Sequence, residues 1–105
     1  MSSRWQSYDW MREALDLLFV DYDAASAAEC LRDEEARAGL RRAVNRRLHV
    51  AGRDTVVPLG ERGDHLLQAL VALRVKFPRD EAMAKLELNI AVRQSDQVFM
   101  SQGLH

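Results

Sequence analysis

The chain has 105 residues, of which 48% are hydrophobic and 30% are charged. This length suits one domain with one core, and this composition excludes intrinsic disorder. A formal net charge of −1 argues against a protein that coats nucleic acid. From the length we predict a single domain over residues 1–105. No apolar run reaches the roughly 20 residues that cross a bilayer, so we predict no membrane association.

Cysteine usage and the first residues bear on the cellular compartment. The chain has one cysteine, Cys30, which therefore has no partner for an internal disulfide. After the first residues, up to Gln6, the chain turns polar and acidic instead of entering the apolar stretch of a signal peptide. Both features predict a cytoplasmic protein.

Charge is distributed along the chain in three blocks. Residues 1–35 carry nine acids against three arginines, and residues 36–53 carry six arginines and no acid. The remainder, residues 54–105, is nearly balanced. Adjacent blocks of opposite charge predict pairing between them, within one chain or between two. The alternative is a basic face left open to an anionic partner.

The first predicted helix runs from Trp5 to Tyr22 and contains neither proline nor glycine. Apolar residues at spacings of three and four form one face of this helix. Trp10, Ala14 and Leu17 form a second strip, so the apolar arc exceeds half of the circumference. Such a helix is either central in the fold or half of an interface.

Two more helices are predicted before residue 51. Ser26 and Glu29 have the spacing of a capping box at the start of a short second helix. Acids at 33–35 stand where the dipole of a third helix favours negative charge. We place this third, arginine-rich helix at residues 36–48. Its predicted buried stripe consists of Ala36, Leu40, Ala43, Val44 and Leu48.

Glycine and proline interrupt the helical pattern after this third helix. The composition fits either a short β-hairpin near residues 48–59 or a structured loop between helices. Asp64 is predicted to cap the next helix, which ends at Phe77-Pro78 because the residue before a proline disfavours helical geometry.

The segment over residues 84–93 fits either a helix or a strand. Helical spacing is met by Met83, Leu86 and Ile90. Every second residue from Leu86 to Val92 is apolar, which is typical of a strand. Good helix formers at 82–88 favour the helix, and Ser95-Asp96 predicts a turn after it. The predicted fold class is therefore mainly α, a compact bundle of four or five helices with at most one short hairpin.

Residue patterns that support catalysis or metal binding are missing from the sequence. The candidate soft ligands do not stand at zinc-ligand spacing; they are Cys30, His49, His65 and His105. Acids flank Cys30 and would raise the pKa of its thiol, and no serine lies in a G-x-S-x-G elbow. We therefore predict no enzyme activity, no metal and no cofactor.

The aromatic residues favour protein binding. Five of the seven aromatics lie in the first 22 residues, and tryptophan and tyrosine are common anchors at protein interfaces. The second apolar strip of the first helix predicts contact with a protein partner or with a second copy as a homodimer. The predicted interface residues are Trp5, Trp10, Ala14 and Leu17. The predicted function is that of a non-enzymatic regulatory, adaptor or chaperone-like protein.

A DNA-binding transcriptional regulator is the alternative prediction. An arginine-rich helix followed by a hairpin resembles a winged helix-turn-helix, in which one helix enters the major groove and the wing touches phosphate. The candidate nucleic-acid contacts are Arg37, Arg41, Arg42, Arg46 and Arg53. At 100° per residue these arginines spread around the helix instead of sharing one face, so protein binding is the preferred prediction.

Overall fold

A computed structural model describes residues 8–103 of the chain, with side chains up to Gln94. Over this range the chain forms five helices and no strand, which confirms the predicted mainly α fold. The helices are α1 (Asp9–Val20), α2 (Ala24–Arg32), α3 (Glu34–Val50), α4 (Gly60–Lys76) and α5 (Glu81–Gly103). None of the described helices combines the length and the apolar composition that a membrane span requires.

The core of the bundle is built around α1, which packs against α3, α4 and α5. The buried side chains of α1 are Trp10, Met11, Ala14, Leu15, Leu17 and Leu18. The same core includes Leu40, Val44 and Leu48 of α3, Leu67, Leu70 and Val71 of α4, and Ala84, Leu88 and Val92 of α5. Three members of the predicted α3 stripe are thus fully buried, as the 3.6-residue period requires.

Of the two alternatives for residues 48–59, the hairpin is wrong and the structure shows a loop between helices. Leu48 to Val50 form the last turn of α3, and residues 51–59 connect α3 to α4 without any strand pairing. Gly52 has a φ of +75°, and the Arg53 amide donates to the carbonyl of Leu48 at 2.9 Å. The amides of Gly52 and Arg53 are therefore bonded within a helix C-terminal turn, which glycine permits, whereas a hairpin would need a partner strand.

Two contacts hold this connecting loop against the helices. The amide of Val57, a buried residue, donates to Oδ1 of Asn45 at 2.8 Å. Farther along, the backbone of Pro58 lies so close to α4 that a Cβ at Gly63 would collide with the Pro58 carbonyl oxygen. Asn45 and Gly63, which look unfavourable for a helix, are therefore positions where the loop packs.

Three helix starts differ in detail from the sequence prediction, and the first is α3, which begins at Glu34, two residues before the predicted start. Asp33 caps α3, since its Oδ1 accepts from the Glu35 amide at 2.9 Å. The capping box of α2 lies three residues earlier than predicted, where the Ser26 amide donates to Oδ1 of Asp23 at 2.8 Å. Helix α4 begins at Gly60, so Asp64 is not its cap.

Helix α5 resolves the ambiguity over residues 84–93 as a helix, and its backbone stays helical to Gly103. The predicted turn at Ser95-Asp96 is therefore wrong. The face of α5 that packs on the bundle carries Ala84, Leu88 and Val92. The set that matched helical spacing in the sequence, Met83, Leu86 and Ile90, is exposed instead.

A buried arginine of α4 fastens the end of α1. The guanidinium of Arg74 donates to the carbonyls of Leu18 at 2.8 Å, Tyr22 at 2.9 Å and Pro78 at 3.0 Å. It also stacks over the ring of Phe19, 4.5 Å from the centroid. A cation at a helix C-terminus compensates the orphaned carbonyls there, so this contact stabilises both the last turn of α1 and the connection that follows it.

Candidate protein-binding groove

The residues predicted to form an interface on α1 lie inside the molecule. Trp10 and Ala14 are 0% exposed and Leu17 is 5% exposed. Because three helices surround α1, its second apolar strip is part of the core and offers no surface to a partner. Trp5 lies outside the described residues. Of the two arrangements that the sequence left open for this helix, the described part of α1 adopts the central one.

The candidate nucleic-acid residues do not gather on one face. Arg37 is buried, and its guanidinium donates to Oδ1 of Asp64 at 2.8 Å and to the carbonyl of Cys30 at 2.8 Å. Arg53 lies beside α1, with guanidinium nitrogens 3.8 Å from Asp9 and 3.6 Å from Glu13. These two arginines are thus occupied by contacts within the chain.

The other arginines of α3 divide between pairing and exposure. Arg47 donates to Oε1 of Glu13 at 2.9 Å, so the predicted pairing of the two charge blocks is confirmed for Arg47 and Arg53. Arg41 is partly buried. Arg42 and Arg46 are exposed, and no described carboxylate lies within ion-pair distance of either.

The side chains whose pKa is shifted take part in contacts within the fold or are buried in it. The hydrogen bond from Arg37 holds the pKa of Asp64 below its usual value. Burial raises the pKa of the Cys30 thiol, which makes the sulfur a weak nucleophile at neutral pH. No group of three His, Cys, Asp or Glu side chains is close enough to hold a metal ion in the described part of the chain.

A groove of about 640 Å³ runs along the surface between α4 and α5. Helix α4 contributes Leu66, Ala69, Leu70, Ala72 and Leu73, and α5 contributes Leu88, Ala91 and Val92. Tyr8 and Met11 line it from the side of α1. The volume lies within the roughly 300–1,000 Å³ typical of binding sites, and the lining is almost entirely apolar.

The groove exists because the residues on the solvent-exposed sides of α4 and α5, where the two helices meet, have small side chains. Ala69 and Ala72 of α4 and Ala91 of α5 are exposed, and each leaves room that a larger residue would fill. Leu66 and Leu73 flank these alanines and are only partly buried. The groove was not predicted from the sequence. A signal for it lies in α4, where Leu66, Leu70 and Leu73 form one apolar strip and Leu67 and Val71 a second, more apolar surface than one core contact requires.

Charged side chains stand at the two ends of the groove. Arg62 lies in the first turn of α4 and Lys76 is its last residue, which separates them by about 21 Å at 1.5 Å per residue. Lys76 is paired with Glu87 of α5, with 3.4 Å between Nζ and Oε1. Arg62 is exposed, and no described carboxylate pairs with it. Among the described residues, the groove is thus apolar along its length and has at one end a cation with no carboxylate partner.

A second cleft, of about 430 Å³, lies between α1 and α5 and has a different character. Its polar side chains contact one another: Nζ of Lys85 lies 2.7 Å from Oδ1 of Asp16, and Arg12 donates to the amide oxygen Oδ1 of Asn89 at 3.4 Å. These groups already have hydrogen-bond or ion-pair partners within the protein. We therefore assign the second cleft a structural role, and the groove between α4 and α5 is the better candidate site.

Comparison with known proteins gives no further guide to function. The chain matches no protein-family model, and searches of curated proteins and of solved structures gave no match. The functional argument therefore depends on the groove itself.

Proposed function

We propose that this protein is a non-enzymatic adaptor or regulatory module that binds an amphipathic helix of a partner protein in the groove between α4 and α5. The observation that carries the proposal is the open, apolar groove between the two helices, which the small alanine side chains in its middle make deep. Proteins that recognise helical segments use such grooves, in which apolar anchors at i, i+3 or i+4 and i+7 of the partner are buried.

The spacing of the groove residues supports a helix as the bound element. Along α4, the lining side chains Leu66, Ala69 or Leu70, and Leu73 supply one contact per helical turn. A partner helix lying alongside would meet them with its own apolar residue in each turn. The energy of such a complex comes from apolar surface removed from water, about 25 cal/mol per Å² before the entropy of association is subtracted.

The DNA-binding alternative receives less support from the arrangement of the arginines. With Arg37 and Arg53 paired inside the chain, Arg42 and Arg46 are the exposed candidates that have no described carboxylate partner. Two phosphate contacts correspond to a salt dependence of log K against log salt of only about −1.8. Specific regulators commonly make several more such contacts, so we treat DNA binding as an outcome of the test.

The test uses a labelled amphipathic peptide of 16 residues with one leucine strip and an otherwise neutral sequence, titrated by fluorescence anisotropy. We expect saturable binding to the wild-type protein. Ala72→Trp fills the groove and should weaken binding at least tenfold, because the bulky ring occupies the volume that the peptide needs. Ala82→Trp is the matched control, since Ala82 is equally exposed but lies on α5 outside the groove. The control should bind like the wild type.

Several results would overturn the proposal. One is the absence of saturable binding, and another is equal binding by the two tryptophan variants. A third is a steep, salt-sensitive affinity of the wild type for random duplex DNA, which would favour the regulator. Light scattering that shows a dimer, converted to a monomer by Ala72→Trp alone, would identify a second copy as the occupant in place of another protein.

A further inference from the structure

The charges around the groove are unequal at its two ends. At the end near the start of α5, the ammonium of Lys76 is balanced by Glu87 at 3.4 Å and also lies 5.2 Å from the ring centroid of Phe77. At the opposite end, Arg62 projects from the first turn of α4 and is exposed, with no ion pair among the described side chains. Of the lining residues that the structure describes, those between the two ends are uncharged.

We infer that the groove selects a partner helix that carries an acidic residue at one end of its apolar strip, where it pairs with Arg62. The inference rests on the proposed function, because it specifies the partner of that same groove. A carboxylate beside the guanidinium forms a charge-assisted and often bidentate hydrogen bond. A lysine of the partner in the same place would be repelled by the guanidinium of Arg62. The residue at the end of the strip therefore distinguishes between partners whose apolar strips are otherwise alike.

The same contact orients the bound helix. The apolar strip alone allows a helix to lie in the groove in either direction, since leucine side chains carry no polarity along the axis. Lys76 at the other end of the groove already has a carboxylate neighbour in Glu87, so the acidic end of the partner is favoured beside Arg62. Arg62 is in this sense a specificity-determining residue, and the leucines supply affinity.

The experiment compares three peptides that share one leucine strip and differ only at the residue following it, which is Glu, Gln or Lys. For the wild-type protein at low salt we expect the Glu peptide to bind about 2- to 5-fold more tightly than the Gln peptide, the range that an exposed ion pair provides. The Lys peptide should bind no more tightly than the Gln peptide, because it can lie in the direction that keeps its lysine away from Arg62. The differences should shrink at high salt as the charges are screened.

Arg62→Glu should reverse the order of the Glu and Lys peptides while leaving the affinity for the Gln peptide within about 2-fold. Arg93→Glu is the matched control, because Arg93 is an exposed arginine of α5 that does not line the groove. This control should keep the wild-type order. Equal binding of the three peptides, or an unchanged order in Arg62→Glu, would overturn the inference. In either case binding of the Gln peptide would still support the groove, whereas its failure to bind would contradict the proposed function.

Discussion

Helices α1 and α5 both have apolar residues on two sides, yet only α1 buries both of them. Trp10 and Leu17 on the second side of α1 are at most 5% exposed, whereas Leu86 and Ile90 on the second side of α5 are 51% and 46% exposed. The difference follows from position, because α1 is packed by three helices and α5 lies at the edge against α4 and α1. A two-sided apolar pattern therefore predicts extra contact surface without indicating whether the protein itself covers it.

The largest expected effect is on the free energy of unfolding, and it distinguishes the buried side of α1 from the exposed side of α5. Leu15→Ala on α1 should lower the free energy of unfolding by about 2–5 kcal/mol, because it leaves a cavity at a fully buried position. Leu86→Ala, the same truncation on the outer face of α5, should change it by less than about 0.5 kcal/mol. Urea unfolding followed by circular dichroism measures both. Equal losses would mean that the outer face of α5 is buried in solution, which would remove the contrast.

A smaller loss in the free energy of unfolding is expected from the contact between Arg74 of α4 and the C-terminal end of α1. Arg74→Ala removes the donor from the carbonyls of Leu18 and Tyr22, and an unsatisfied buried acceptor costs about 1–3 kcal/mol. We expect a loss of about 2–4 kcal/mol in the free energy of unfolding, of which Arg74→Lys recovers only a part because lysine lacks the planar fork. Arg79→Ala, at an exposed position three residues after α4 ends, is the control. Equal stability of the two alanine variants would contradict the assigned role.

The smallest expected effect concerns the ion pair that joins α1 to α5. Burial alone would raise the pKa of Asp16, but the hydrogen bond from Lys85 and the positive charges of Lys85 and Arg47 outweigh it and lower the pKa. A lowered pKa in the folded state means that this contribution to stability is complete above the unfolded value of about 3.9 and is lost as the pH falls through the folded value.

Asp16→Asn should therefore destabilise the protein by about 0.2–1 kcal/mol at pH 7, the range of a partly exposed pair. It should also flatten the decline in stability below about pH 4. Thermal melting between pH 2 and pH 7 compares it with Asp54→Asn, an exposed aspartate in the loop before α4. A variant that loses stability only above pH 6, or whose acid decline matches the wild type, would show that the pair does not join the helices.

Local features of the chain were sufficient to predict much of the secondary structure. The acids at 33–35 lie at the start of α3, as the sequence predicted, and α4 ends before Phe77-Pro78. The stripe of Leu40, Val44 and Leu48 is buried as its period indicated. These features depend on backbone geometry and on neighbours within one or two turns, which a single sequence contains.

The predictions that proved wrong depended on partners distant in the chain. The segment after α3 has the composition of a hairpin, but Asn45 and the end of α3 satisfy its backbone instead of a second strand. Helical spacing selected Met83, Leu86 and Ile90 on α5, although the face that α4 and α1 cover carries Leu88 and Val92. Periodicity identifies an apolar strip, and the position of the neighbouring helix decides which strip is buried.

The sequence by itself determined that this protein is helical, where most of its helices lie and that its two charge blocks attract each other. The tertiary structure decided that Trp10 and Leu17 are core, that Arg37 pairs with Asp64, and that the space beside Ala72 is an open groove. Helix formation follows from interactions a few residues apart, which the order of the residues specifies directly. A groove is defined by the distance between two helix surfaces, and that distance is set by how all the other side chains fill the core.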